Sequence, residues 1–378
     1  MASVKKTTRA WCSPERYIQG PGELRNIEVY SRKLGRRVVA IIDEFFFDSL
    51  TKELTSIYSD TESEIATVVY NTEVTEQTIT FTAKEAKAHM PDVIIGIGGG
   101  KAIDVAKAVA YDLGLPVMIV PTVASTDAPT SSLSVIYNEN GVHCGERFYD
   151  ESPKILIIDS EIIAQAPARF LISGMGDALA TLIEAKTNRN SDSPNLVYFK
   201  DGGFRRTIAG TYIAQACYET LLAKGKMAKI AAEQHVVTEA LEDIIETNIL
   251  LSGLGFENNN TAGAHSVADG LTAVPGAASK SMHGEKVAFG TICQLIVENA
   301  PTETIHEVLG FCFEVGLPIT LEDLYVENTD ENIALIAEAS MHSNWGNEPF
   351  VVNMEMVAAA IKTADALGRA YKETSSKN

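Results

Sequence analysis

The stretch "DVIIGIGGGKAID", residues 92–104, sets Gly96, Gly98, Gly99, Gly100 and Lys101 between an apolar strand-like run and a helix-like one. Glycine lets backbone N–H groups approach an anion at the positive end of a following helix, so the run can cradle a phosphate; it can also be a tight turn packed for steric reasons. It fits neither standard template. Lys101 stands where G-x-G-x-x-G needs its last glycine, Ile95 where a P-loop needs its first, and Ala102 where a P-loop needs Ser or Thr. Asp104, one turn into the helix, can order the loop or bond Lys101. Downstream, "VPTVASTDAPTSSLSVIY" (120–137) is dense in hydroxyls and carries Asp127. Following a parallel strand, such a segment can ring a ligand, or be an ordinary turn-rich loop. Asp43 closes "RVVAIID". An acid there accepts a ribose hydroxyl and repels a 2'-phosphate, or caps a helix.

Of seven histidines, His265 in "NNTAGAHSVADGL" and His283 in "KSMHGEKVAFG" sit among small residues, where a side chain can reach a cleft. Asp177 follows two glycines in "SGMGDALAT". Singly, an Asp at a helix start caps that helix and a lone imidazole is satisfied by hydrogen bonds. Together, two imidazoles and a carboxylate make a catalytic zinc set with an open position for water or substrate. Spacing alone does not assemble the triplet, since 88 positions separate Asp177 from His265.

The elements that must hold these residues change character along the chain. The runs 37–43, 66–70, 92–98, 116–122, 134–137 and 155–160 are apolar and alternate with helical periods, which predicts a parallel sheet covered on both faces. From about residue 171, long Ala-, Leu- and Glu-rich segments predict a nearly all-α remainder. The expected organisation is an α/β domain over 1–170 and a helical domain over 171–378, with a cleft between them. At 378 residues two domains are the natural division. The formal net charge of -19 disfavours nucleic acid and anionic membrane surfaces as partners. Five scattered cysteines without C-x-x-C spacing suit a reduced compartment. Without an apolar signal-peptide core or a membrane-length apolar run, the expected location is the cytoplasm.

The segments "GIGGGKAIDVAKAVA", "VPTVASTDAPTSSLSVIYNENG", "SGMGDALATLIEA" and "HGEKVAFGT" resemble the glycerol dehydrogenase branch of the iron-containing alcohol dehydrogenase superfamily, over nearly the whole chain. The resemblance implies an NAD-binding α/β domain, a helical metal-binding domain and oxidation of glycerol, or a similar vicinal diol, to a hydroxyketone. It implies that Asp43, Gly99, Gly100, Lys101, Asp104, Thr122, Ser125, Ser131, Leu133 and Tyr137 line the NAD site. Asp177, His265 and His283 would hold zinc, and Asp127 would contact a substrate hydroxyl. Iron-type members carry a fourth ligand, a histidine, four residues after the metal-binding Asp, where this chain has Thr181; three ligands favour zinc. Family members form rings, commonly octamers, which implies a homo-oligomer. Two departures bear on substrate. "FENNNTAGAHSVADG" stands where the branch reads something like "FESGGLAAAHAIHNG", so that Asn258, Asn259 and Asn260 replace a small stretch and Ala268-Asp269 replaces His-Asn. Rival readings are a dehydroquinate-synthase-like lyase that uses NAD transiently and a non-catalytic NAD-binding sensor.

Overall fold

The computed structural model describes residues 7–139, 143–199 and 202–375. Six parallel strands form one sheet: β1 (Arg16–Gly20), β2 (Arg37–Asp43), β3 (Glu64–Tyr70), β4 (Val93–Gly98), β5 (Val117–Pro121) and β8 (Ile155–Asp159), in spatial order β1-β8-β5-β4-β2-β3. The apolar runs become central strands because both faces are covered: β4 and β8 are buried along their whole length. From β2 the chain steps outward to β3, then crosses back to β4 and continues the other way to β5. The strand order therefore reverses between β2 and β4, and the crevice beyond their carboxyl ends is where such sheets bind ligands. Register sets Ile42 beside Ile97 and Gly98 beside Pro121, so Asp43, Gly98 and the residues after Pro121 share that edge.

One sequence expectation is corrected. Residues 134–137 do not join the parallel sheet; they belong to β6 (Leu133–Tyr137), which pairs antiparallel with β7 (His143–Phe148) in a separate hairpin. Its short connection cannot make the crossover a parallel partner needs. Strand β1, whose polar "RYIQG" carries little periodicity, went unpredicted and occupies the sheet edge.

Beyond β8 the described chain is helical. The boundary expected at 170/171 falls inside the helix Ala168–Ser191, and the largest apolar core runs from these helices onto Ile119, Leu156 and Ile158 of the sheet. Small residues let three helices cross at backbone distance. A Cβ on Gly284 would stand 1.8 Å from Ser173 O, and one on Gly290 would stand 2.2 Å from Ala264 O. These contacts draw the helices Ala168–Ser191, Gly263–Leu271 and His283–Val297 together at one end. Among the described residues no helix is long and apolar enough to cross a membrane, and the five cysteines are free thiols.

Candidate active site

The glycine run contains two kinds of position. A Cβ on Gly96 would meet Ala106 Cβ at 2.5 Å; one on Gly98, at φ +152°, would meet the Cβ atoms of Ala102 and Asp43 at 2.8 Å. Packing of β4 against its helix and against β2 requires both glycines. Around Gly99 and Gly100 the nearest atoms to an added Cβ are Val123 Cγ2 at 3.7 Å and Thr126 Oγ1 at 3.6 Å. Sterics account for the first pair and not for the second. Gly99 is also the N-cap of the helix Gly100–Leu113 and supplies no side-chain acceptor to its first N–H groups. Open space thus meets an uncapped helix N-terminus, a setting that fits the phosphates of a dinucleotide.

Neighbouring residues divide between rim and scaffold. Thr122 N donates to Gly98 O at 3.0 Å, which sets the hydroxyl-rich loop beside the glycines. Asp43 caps the next helix, accepting from Phe45 N at 3.0 Å. Lys101 pairs with Glu73 at 2.7 Å and stands 5.8 Å from the ring centre of Tyr137, whose own N–H donates to Val74 O at 2.8 Å. Asp104 does not bond Lys101; it is buried, pairs with Lys107 at 2.9 Å and accepts from Val135 N at 3.0 Å. Burial raises the Asp104 pKa, opposed by the Lys107 ammonium. Lys107, which sequence reasoning passed over on an apolar helix, donates to Ala128 O at 3.0 Å, to Ser131 Oγ at 3.3 Å and to Leu133 O. It ties the loop 128–133 down from beneath. Ser131 and Leu133 are buried in that loop or at its end, and Ser125 is buried just ahead of it.

Asp177, His265 and His283 converge, their candidate ligand atoms all within 4.8 Å of one another. Asp177 Oδ1 lies 3.5 Å from His265 Nε2 and 3.3 Å from His283 Nε2. That oxygen is buried and has no hydrogen-bond partner. A buried carboxylate oxygen facing two imidazole nitrogens is a donor set that fits a divalent metal. Asp177 Oδ2 accepts from Asp127 N at 3.3 Å, so the hydroxyl-rich loop reaches the cluster. Asp127 Oδ2 in turn accepts from Ser252 Oγ at 2.7 Å. Thr181 contributes a hydroxyl bonded to Ser252 Oγ at 3.0 Å.

Glu184 escaped the sequence reading. Its Oε2 accepts from His265 Nδ1 at 2.8 Å, while Oε1 accepts from Ala262 N at 2.8 Å and His265 N at 3.0 Å. With Nδ1 donating to Glu184, Nε2 is the nitrogen that faces Asp177 and that can ligate a metal once its proton is released. The signal was present: seven residues, two helical turns, carry Asp177 and Glu184 to one helix face. Burial disfavours charge at His265, but Glu184 and Asp177 outweigh it and hold the imidazole pKa well above its usual range. Burial also opposes ionisation of Asp177, and the two imidazoles reverse that and hold it low. Burial, then the Asp177 charge, push Asp127 well above the ordinary carboxyl range.

The three asparagines serve as anchors. Asn258 exchanges two 3.0 Å bonds with the backbone of Cys12, Asn259 donates to Gly255 O at 2.7 Å, and Asn260 donates to Pro194 O at 2.9 Å. The amides of Asn258 and Asn260 fasten the N-terminal segment and Pro194 to this stretch, while that of Asn259 closes its own helical turn. Asp269 accepts from Ser343 Oγ at 2.6 Å.

Residues 14–160 match the family described as iron-containing alcohol dehydrogenase. The chain is 41% identical to a glycerol dehydrogenase from Thermotoga maritima over 362 residues, covering 95% of this chain and 97% of that one. It is 40% identical to a glycolaldehyde reductase from Halobacterium salinarum over 369 residues, 97% of this chain and 100% of the other. The solved structure of glycerol dehydrogenase from Schizosaccharomyces pombe superposes with a TM-score of 0.92 at 35% identity, covering 99% of this chain and 94% of that one.

Proposed function

Because this chain belongs to the iron-containing alcohol dehydrogenase family, in its glycerol dehydrogenase branch, we propose that it is a zinc- and NAD-dependent polyol dehydrogenase. Its reaction is oxidation of glycerol, or a similar vicinal diol, to the hydroxyketone. The observation that carries this reading is the Asp177–His265–His283 cluster joined through Asp127 to the loop beside the open glycines. When bound, the metal supplies Lewis acidity toward the substrate hydroxyl and NAD accepts the hydride.

The chain's residues supply orientation. Asp177, His265 and His283 hold the metal, Glu184 fixes the His265 tautomer, and Thr181, engaged with Ser252, leaves three protein ligands, which favours zinc. Gly99, Gly100 and the following N–H groups receive the pyrophosphate, with Lys101 and Asp43 at the rim. Thr122, Ser125, Ser131, Leu133 and Tyr137 shape the coenzyme wall, and Asp104 acts through Lys107 and Val135 to hold it. Asp127, one oxygen held by Ser252, meets a second hydroxyl of the diol and orients the carbon that reacts. The division into lobes near residue 170, the cytoplasm and a homo-oligomer belong to the same reading.

The near-equal identity to a glycolaldehyde reductase favours a second substrate reading, the reverse reaction on a two-carbon hydroxyaldehyde. The deciding assay follows NADH formation with glycerol, 1,2-propanediol and 2,3-butanediol, and NADH consumption with glycolaldehyde, before and after chelation and zinc readdition. Zinc-restored turnover on a diol supports the proposal. NAD and zinc binding without turnover on any of the four would overturn it in favour of the sensor, and NADH that never accumulates with turnover would favour the lyase.

A further inference from the structure

A strongly basic concavity of this acidic chain lies away from the Asp177 cluster. Arg9, Arg189, Arg205 and Arg206 line one cavity of about 580 Å³ together with Asp192 and Thr207. Among the described residues, four guanidinium groups stand against one carboxylate, which inverts locally a chain whose formal charge is -19. The arginines are brought together by tertiary structure: Arg189 ends the helix Ala168–Ser191, while a parallel bridge between Arg9 and Arg205 delivers the other three.

The Asp192 carboxylate is already shared. Asp192 Oδ1 accepts from Arg205 Nη2 at 2.8 Å and from Arg206 Nη2 at 3.2 Å. Arg206 is fixed further by donating to Ser193 O at 2.7 Å, and its side chain is only 9% exposed. Among the described residues no carboxylate pairs with Arg9 or Arg189, both of which are exposed. The helix Ile208–Glu233 also starts at this cavity, with no acidic residue in its first turn to offset the positive end of its dipole. Guanidinium forks match tetrahedral oxyanions, and preorganised ones bind with less entropy lost.

We propose that this cavity binds a doubly charged phosphate group, free or as a monoester. Arg189 lies twelve residues beyond Asp177 on one helix, so roughly 18 Å of rise separates the cavity from the metal cluster. A phosphate held here touches no reacting group, and its site is distinct from the glycine turn.

The test is calorimetric titration of NAD-saturated, zinc-loaded protein at low ionic strength with inorganic phosphate and with methyl phosphate, against an ionic-strength-matched chloride control. One saturable site is expected, weakened about tenfold by Arg189→Gln and by Arg9→Gln, each of which removes a charge-assisted contact. Lys101→Gln, at the glycine turn, should leave it unchanged, and glycerol turnover of the two arginine variants without phosphate should match that of the parent. Binding of phosphate alone assigns the free ion; equal or tighter binding of methyl phosphate assigns a monoester. The proposal is overturned by no saturable binding of either, by equal affinity in the arginine variants, or by loss of binding in Lys101→Gln instead. A lower sedimentation mass in both arginine variants would also overturn it, because the cluster would then be an interface between copies.

Discussion

Glu184→Gln probes how the proposed metal site is built, because it exchanges one carboxylate oxygen for an amide NH₂ and removes the charge with almost no change of volume. The native carboxylate accepts from Ala262 N, His265 N and His265 Nδ1, at 2.8, 3.0 and 2.8 Å. Glutamine keeps one oxygen for the two backbone donors and turns its amide NH₂ toward the imidazole. Nδ1 must then accept, which moves the ring proton to Nε2, the atom facing Asp177 Oδ1 at 3.5 Å. A protonated Nε2 cannot ligate, so metal binding carries the cost of restoring the other tautomer beside an unmatched amide. Lost partners of a metal-ligating histidine weaken affinity by about 10- to 100-fold, or roughly 1.4–2.7 kcal/mol. Alanine is less informative: it deletes three bonds to a charged acceptor, each worth about 1.5–3 kcal/mol, and threatens the fold itself. Competition with a calibrated zinc chelator reads the affinity, and turnover at saturating zinc reads the rest. Recovery of most activity at high zinc, with the affinity loss in the stated range, is the expected result. Parental zinc affinity in Glu184→Gln would refute the tautomer reasoning.

Three further perturbations test other parts of the structure. Gly284→Ala drives a Cβ to 1.8 Å from Ser173 O, so the helix crossing must open; we expect destabilisation of about 3 kcal/mol or more and weakened zinc binding, and an unchanged melting temperature would contradict it. Lys107→Met strands the buried Asp104 carboxylate and frees the carbonyls of Ala128 and Leu133. A cost of about 3–5 kcal/mol and weaker NAD binding are expected, with part of the stability regained in the double variant Asp104→Asn/Lys107→Met. Glu348 is buried with both carboxyl oxygens unbonded, and burial, then the Glu298 and Glu184 charges, push its pKa up to about 8. A carboxyl whose pKa is higher folded than unfolded favours the fold at low pH and loses that contribution as pH rises from about 4.5 to about 8. Glu348→Gln should therefore stabilise the protein at pH 8–9 and change little near pH 4.5 in thermal melts; a pH-independent difference would sink the assignment.

Local chemistry was legible in the sequence, and long-range closure was not. The apolar runs forecast β2, β3, β4, β5 and β8 because buried parallel strands are continuous in hydrophobicity. The same rule misassigned 134–137, since a buried run does not reveal its partner, and the partner here is β7. Asp177, His265 and His283 stood out singly by residue type, but their convergence depends on backbone crossings at Gly284 and Gly290 that no local period encodes. Glu184 and Lys107 were hidden for a related reason. Each is a charge on a helix where charges normally face solvent, and only tertiary structure shows them buried and paired. The asparagine triplet shows the converse: residues singled out as altering a pocket are fastened to backbone groups of Cys12, Gly255 and Pro194.

The loop after β5 explains why these distant features belong to one site. On the sheet side it is fixed by Thr122 N to Gly98 O and by Lys107 from below; on the helical side it is fixed by Asn248, donating to Ala124 O at 3.0 Å, and by Asp127 N reaching Asp177 Oδ2. A short π-helical turn, Thr247–Leu251, contains Asn248 and runs directly into Ser252, which bonds Asp127. Such turns re-aim the side chains beyond them, and here the turn lets one helix present an amide to the loop's start and a hydroxyl to its middle. The distance between the open glycines and the Asp177–His265–His283 cluster is therefore set by a segment anchored at both ends. For hydride transfer that distance has to be held closely, since a shift of about 1 Å at the reacting atoms can cost about a hundredfold in rate. Doubly anchored, the loop can meet that tolerance, and its hydroxyl-rich composition supplies the polar contacts without large side chains that would fill the crevice.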